Sequence, residues 1–246
     1  MEIIKFIKNM STTQPWRWSK KQWFIAITAL ALLIFVWHGV SFVLSAWRES
    51  VLVDRYALDI EKKQFTDQIK INKEDLSKNP DRYKKIAATM DMGLQWYNLR
   101  EWDLAAKWWN RGLNIEPNNE IGWTNLGYAY VEMKDYSDAE DAYNNAMKYA
   151  RVGEVGGCLA LGDLYKYSYT AKKNKEITIL LKCLKKHKDN RDLIARAAGY
   201  YRDIGDVRNA IIYFDKLWSI EPTPEVGEEL RDLRSKLDEL EKSEKI

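Results

Sequence analysis

The segment from Trp23 to Trp47 constrains this chain more than any other part of it, because it includes no Asp, Glu, Lys or Arg. As an α-helix the segment would extend about 37 Å, which exceeds the hydrocarbon core of a bilayer at about 30 Å. Tryptophan at both ends suits the headgroup level, where amphipathic rings concentrate. We predict a transmembrane helix over residues 23–47.

A cleaved signal peptide is the main alternative, because basic residues precede the apolar segment. The apolar core of a signal peptide spans about 7 to 15 residues, however, and this segment is longer. An uncleaved anchor is therefore the favoured interpretation.

The distribution of basic residues predicts the orientation of the anchor. Residues 1–22 hold five Lys or Arg and one acidic residue, and Arg17, Lys20 and Lys21 lie next to the span. The twenty residues after Trp47 hold four basic and five acidic residues. Because Lys and Arg are retained on the cytoplasmic side, residues 1–22 are predicted to be a basic cytoplasmic tail. The rest of the chain would then lie outside the cytoplasm, at the inner or plasma membrane of a bacterium.

Composition narrows the class of the remaining chain. Helix breakers are scarce, with 12 Gly and 5 Pro among 246 residues, which favours an all-α fold. No nucleophile elbow, phosphate-binding glycine loop or zinc-protease motif occurs in the sequence. We therefore predict no enzyme, no cofactor and no bound metal. Residues 48–246 are close to neutral, so nucleic-acid binding is not predicted either.

Small and aromatic residues recur beyond the span at one fixed interval, which is the mark of an internal repeat. In residues 120–153 the recurring set is Trp123, Leu126, Gly127, Tyr130, Tyr136, Ala139, Tyr143 and Ala146. In residues 86–119 it is Met92, Gly93, Trp96, Trp102, Ala105, Trp109, Gly112 and Pro117. In residues 191–224 it is Ala197, Ala198, Tyr201, Gly205, Ala210, Phe214, Leu217 and Pro222. The pattern and its length resemble the tetratricopeptide repeat (TPR), a pair of antiparallel helices.

A degenerate third unit covers residues 154–190, which makes it slightly longer than the others, and it keeps Leu161, Gly162, Tyr165 and Cys183. Its turn is enlarged, and Glu176 replaces the alanine expected at the start of its second helix. The resemblance thus implies an α-solenoid of about four helix-turn-helix units over residues 86–224.

Helical patterns flank the predicted solenoid on both sides. Residues 48–85 are predicted to form a juxtamembrane helical linker or cap, with one face made of Leu58, Phe65, Ile69 and Leu76. Residues 225–246 are predicted to form a capping helix and tail, with one apolar stripe made of Val226, Leu230, Leu233, Leu237 and Leu240. A coiled-coil dimer is the alternative use of that stripe.

TPR proteins bind an extended segment or a helix of a partner protein in a concave groove lined by the first helix of each repeat. The resemblance implies that the groove here is lined by Met90, Leu94, Tyr97, Asn98, Thr124, Tyr128, Val131, Glu132, Asp163, Lys166, Arg202 and Asp203. Its first half would be apolar and aromatic and its second half charged. We expect a ligand with hydrophobic anchors at one end and mixed charge at the other.

Cys158, Cys183 and His187 fall within the third unit, on helices predicted to be antiparallel partners. Two independent buried cysteines are the favoured interpretation. A disulfide between Cys158 and Cys183 is the alternative if the domain lies outside the cytoplasm. A three-ligand zinc site is the third option.

These features together predict a membrane-anchored scaffold or adaptor that binds a segment of another envelope or membrane protein. Its setting would be an envelope assembly, secretion or translocon-associated complex. The alternatives are a cytosol-facing receptor or organelle tether of inverted topology, and a regulatory subunit of an enzyme. Homo-oligomerisation is a further alternative, because the exposed ends of two repeat domains can stack on each other.

Overall fold

A computed structural model describes residues 20–57, 59 and 62–244. Within those residues the regular structure is entirely helical, and eleven α-helices follow one another with no strand between them. The predicted all-α fold is therefore confirmed. Most of the predicted basic tail, residues 1–19, lies outside the described residues.

The first helix, α1, covers Lys20–Ala57 and contains the predicted membrane span. From Trp23 onward it is long and apolar enough to cross a membrane, and none of its most apolar window is buried. The helix does not end at Trp47, where the sequence analysis placed the start of a separate linker. It continues to Ala57 because no Gly or Pro interrupts residues 48–57.

The remaining helices form successive pairs. Their bounds are α2 Lys63–Ser77, α3 Arg82–Asn98, α4 Trp102–Ile115, α5 Glu120–Glu132, α6 Tyr136–Tyr149, α7 Gly156–Asp163, α8 Glu176–Lys186, α9 Arg191–Asp203, α10 Val207–Ile220 and α11 Pro224–Ser243. The pairs α3–α4, α5–α6, α7–α8 and α9–α10 are in contact, and each pair also contacts the next. Within residues 62–244 this is the tandem helix-pair arrangement of an α-solenoid.

The tight turn inside each regular pair repeats the same backbone conformation. Arg100 and Lys134 have φ angles of 62° and 64°, and they stand one repeat length apart. Gly205, with φ of 77°, occupies the corresponding turn between α9 and α10. This left-handed conformation ends a helix within one residue, which lets the chain reverse direction at once.

Small residues on the first helix of a pair receive an aromatic ring from the second. A Cβ built at Gly127 would lie 2.3 Å from the Tyr143 ring, and one built at Gly93 would lie 2.4 Å from the Trp109 ring. The two glycines are one repeat length apart, and so are the two rings. The equivalent contacts fix the spacing between the two helices of each pair, since a larger residue would push the ring out.

The third pair departs from this regularity. A π-helical turn at Leu164–Ser168 and a 3₁₀ segment at Thr170–Lys175 stand between α7 and α8. The Tyr165 hydroxyl donates a hydrogen bond of 2.7 Å to Glu140, and Lys172 donates a second to the same carboxylate. The enlarged turn predicted from the sequence is therefore folded down onto α6.

Flanking helices cover both ends of the helix pairs. At one end α2 packs on α3 through Ile69, which is fully buried. At the other end α11 packs on α10 through Leu230 and Leu233. The predicted C-terminal capping helix is confirmed, while the last residue of its apolar stripe, Leu240, stays exposed.

Candidate partner-binding face

The first helices of the four pairs, α3, α5, α7 and α9, form the surface that the sequence analysis assigned to partner binding. We call this surface the first-helix face. Helices α5 and α7 contact each other directly. The Met90 side chain of α3 reaches toward both α4 and α5, with its Cε atom 2.7 Å from a Cβ position built at Gly112 on α4 and 2.8 Å from one built at Gly122 on α5.

Two of the predicted groove residues belong to the packing beneath this face. Met90 is half-buried and makes the contacts just described. Thr124 is only 7% exposed, and its hydroxyl donates a hydrogen bond of 3.1 Å to Glu120. The same Glu120 oxygen accepts the Gly157 N–H at 3.3 Å, which ties α5 to the start of α7.

An aromatic and aliphatic patch occupies the half of the face nearest α3. Leu94 is 44% exposed and Tyr128 is 42% exposed. The Tyr128 ring rests edge-on against Tyr143 at 5.7 Å between centroids. The Tyr97 ring lies 4.8 Å from that of Trp102. Aromatic contacts from below therefore hold the exposed Tyr128 ring and the half-buried Tyr97 ring in place.

Burial and the charge of nearby carboxylates both affect the tyrosine hydroxyls of this patch. Burial raises the pKa of Tyr97, and the charge of Glu132 raises it further. Burial also raises the pKa of Tyr128, with a further contribution from Asp163. Both hydroxyls are therefore neutral donors at physiological pH. Two other predicted liners, Asn98 and Glu132, are exposed at the ends of their helices. Val131 packs toward the third pair instead.

The other half of the face is charged and internally paired. Arg196 makes two hydrogen bonds to the Asp163 carboxylate, one of them at 2.9 Å. Lys166 lies 3.5 Å from Asp203, and Arg202 lies 3.0 Å from the same residue. Although burial opposes it, these two cations lower the pKa of Asp203.

Arg196 was missed by the sequence analysis, although it lies at the centre of the charged half. It stands two helical turns before Asp203 on α9, which places both on one side of the helix. Its hydrogen bonds to Asp163 raise the pKa of the guanidinium, so the positive charge is permanent. The two-turn spacing from a predicted liner was the signal that could have found it.

Glu176 is the unusual buried residue beside this half. It is 3% exposed, and burial raises the pKa of its carboxyl, against the effect of Lys166, Lys173 and Arg196. Tetratricopeptide repeats have a small alanine at this position, and here a larger, buried carboxyl group replaces it.

Cys158 and Cys183 are joined by a disulfide in the structure, with their Cα atoms 6.2 Å apart. The sequence analysis had favoured two separate thiols. In the structure the two positions face each other across α7 and α8, at a Cα separation within the range that a disulfide spans. His187 accepts the Gly153 N–H through Nδ1 at 3.2 Å, and the described residues include no group of three side chains suited to a metal.

Comparison with known proteins agrees with the repeat assignment. The tetratricopeptide repeat family profile matches residues 122–152. No curated protein matches the chain.

One solved structure with some similarity is that of YrrB, described as a TPR protein with an unusual peptide-binding site. Its sequence is 16% identical, and the alignment covers 64% of this chain and 75% of that one with a TM-score of 0.42. A thermophilic TPR protein of Thermus thermophilus, TTC0263, has 17% identity and a TM-score of 0.42, over 62% and 82%. MamA has 22% identity and a TM-score of 0.47, over 66% and 93%.

Three features of the chain itself indicate the repeat. Residues 122–152 match the repeat profile, helix pairs continue on both sides of them, and the contacts of Gly93 with Trp109 and of Gly127 with Tyr143 recur at the repeat length. Residues 122–152 therefore form a tetratricopeptide repeat within a longer array of helix pairs.

Proposed function

We propose that this protein is a membrane-anchored adaptor whose first-helix face binds an extended segment or a helix of a partner protein. The observation that carries the proposal is the patch formed by Leu94, Tyr97 and Tyr128. Two of these side chains, Leu94 and Tyr128, are more than two-fifths exposed on neighbouring first helices. Exposed apolar side chains that lie together in this way mark an interaction surface.

The patch is suited to binding because its rings are already held. Trp102 and Trp109 contact Tyr97, with ring centroids 4.8 Å and 5.7 Å away, and Tyr143 contacts Tyr128 at 5.7 Å. A partner therefore loses little side-chain entropy from this surface when it docks. Aromatic anchors of this kind contribute most of the affinity in many protein interfaces.

The charged half supports a ligand of mixed charge. Asp163 and Arg196 satisfy each other, as do Lys166 and Asp203. These side chains are only partly buried, so the pairs are weak. Acidic and basic side chains of a partner can replace these ion-pair partners at little net cost in free energy. The charged half would then determine where along the face the partner segment lies more than how tightly it binds.

The proposed setting is the outer face of a bacterial inner or plasma membrane, within an envelope assembly, secretion or translocon-associated complex. The excess of Lys and Arg in residues 1–22 supports a cytoplasmic N-terminus. The bridge between Cys158 and Cys183 supports an oxidising compartment for the repeats. A C-terminal reporter active only in the cytoplasm should be silent, and activity of that reporter would contradict this topology.

The binding proposal is tested with the double variant Leu94→Ala and Tyr128→Ala. Crosslinking in native membranes, followed by mass spectrometry of co-purified proteins, identifies partners of the unmodified chain. The variant should lose the partner while keeping its helical circular dichroism. A control that removes two exposed side chains outside the first-helix face, Val152→Ala with Ile212→Ala, should retain it. Retention of every partner by the patch variant would contradict the proposal.

A further inference from the structure

A cavity of about 320 Å³ lies between α6, α7 and α8, and both Cys158 and Cys183 line it. None of the residues assigned to the first-helix face lines it. Its volume is at the lower end of the range for small-molecule sites. The disulfide is thus a wall of a cavity large enough to admit a small molecule.

The lining of this cavity is positively charged. Lys148, Lys182 and Lys186 contribute to it, and none of the described residues that line it carries a carboxylate. Lys186 donates a hydrogen bond of 2.6 Å to the Ala150 carbonyl. Lys148 lies 4.9 Å from the ring centroid of Tyr149. Neither contact neutralises a charge, so the cavity attracts anions.

His187 adds a further hydrogen-bond donor to this lining. It is 7% exposed, and its Nδ1 accepts the Gly153 N–H, so the proton of the neutral ring resides on Nε2. Burial, and then the charge of Lys186, lower the pKa of this histidine. The ring is therefore a neutral donor among three cations, in a cavity that offers an anion several N–H groups.

A disulfide in such surroundings is activated toward thiolates. Nearby cations stabilise the thiolate that leaves when the bond breaks, and they raise the local concentration of an attacking anion. Lys182 and Lys186 flank Cys183 along α8, and Cys158 is the third residue of α7, where the helix N-terminus favours negative charge. Either sulfur can therefore act as the leaving group.

We propose that this cavity is a thiol–disulfide exchange site that takes anionic thiols. The thiolate sulfur forms a bond to one Sγ atom, the bond between Cys158 and Cys183 breaks, and the other Sγ leaves as a thiolate. A second thiol then resolves the mixed disulfide. Two thiols are oxidised to one disulfide, and the bridge gains two electrons and two protons.

The exchange would act on the least regular part of the solenoid. The bridge ties α7 to α8 across a π-helical turn and a 3₁₀ segment. Helix α7 and that turn also carry Asp163 and Lys166 of the first-helix face. Reduction removes the covalent tie beneath these two residues.

The test compares three small thiols on the full-length protein in detergent micelles. The probes are 2-mercaptoethanesulfonate, which is anionic, 2-mercaptoethanol, which is neutral, and cysteamine, which is cationic. Rates of reduction are followed by alkylation and mass spectrometry. They are normalised to thiolate concentration and to each thiol's rate with an unhindered model disulfide. We expect the anionic thiol to react about tenfold faster than the cationic one at low ionic strength.

Charge variants connect that preference to the cavity. Lys148→Gln with Lys182→Gln should lower the ratio, since only Lys186 then remains charged in the lining. The control Lys70→Gln with Lys236→Gln should leave the ratio unchanged. Added salt should also reduce it. Equal rates for the three probes, an unchanged ratio in the cavity variant, or two free thiols in the untreated denatured protein would each overturn the proposal. The exchange is measured on this chain alone, so the result is independent of partner binding.

Discussion

Replacement of Gly127 by alanine tests the contact that sets the spacing of a helix pair. The new Cβ would lie 2.3 Å from Cε1 and 2.8 Å from Cζ of Tyr143. Tyr143 is 1% exposed, so its ring has no free space to move into. We take the upper end of the usual overpacking cost, about 3 kcal/mol, because the clashing atoms belong to a rigid ring. Alanine is about 1 kcal/mol more favourable than glycine inside a helix. The net effect is therefore a destabilisation of about 2 kcal/mol.

Gly199→Ala is the matched control for this substitution. Gly199 lies inside α9, and among the described residues no packing atom comes within 4 Å of the position its Cβ would take. This variant should therefore gain up to about 1 kcal/mol from helix propensity alone.

Urea denaturation of the full-length protein in detergent micelles, followed by tryptophan fluorescence, measures both effects. The buried rings of Trp96 and Trp109 make the signal report on the repeats. The expected order of denaturation midpoints is Gly199→Ala highest, then the unmodified protein, then Gly127→Ala. Equal midpoints for the two variants would refute the packing argument, as would a rise for Gly127→Ala.

Three further outcomes are expected. Burial raises the pKa of Glu140, but hydrogen bonds led by that from Lys172 outweigh it and hold the pKa below its usual 4.5. The contribution of the ionised Glu140 carboxyl to folding stability is thus complete above pH 4.5 and is lost as the pH falls through the lowered pKa. Glu140→Gln removes this titration, so the fall of Tm toward acid pH, measured by circular dichroism, should be less steep in the variant. An unchanged fall would contradict this. Cys158→Ala with Cys183→Ala should cost about 3 kcal/mol in urea denaturation, and an unchanged midpoint would speak against the bridge. Alkaline carbonate should leave the protein in the membrane pellet and release a variant lacking residues 23–47, and release of the full chain would count against the anchor.

Much of the fold could be predicted from the intervals between small and aromatic residues in the sequence, because each repeat places the same residue types at the same helix contacts. Gly127 precedes Tyr143 by the same interval that separates Gly93 from Trp109. The sequence alone indicates that one of each pair must be small and the other large, since two antiparallel helices meet there. The structure has both contacts. The continuation of α1 beyond Trp47 was not predicted, because hydropathy marks the end of an apolar segment and not the end of a helix.

The candidate site was harder to predict because one helix face contains both surface and packing positions. Repeat position alone placed Met90 and Thr124 in the groove. Their burial depends on the glycines opposite Met90 and on the Glu120 carboxylate beside Thr124. Arg196 was missed because the repeat pattern names groove positions one by one and does not show which charged side chains pair across two helices, as Arg196 does with Asp163.

Site-specific photocrosslinking in native membranes tests the central claim most directly. A benzophenone amino acid at position 128, on the first-helix face, is compared with the same group at position 212, which is exposed on α10. We predict that position 128 captures a discrete partner protein and that position 212 does not. Capture of the same partner from position 212 alone, or equally from both positions, would contradict binding through the first-helix face.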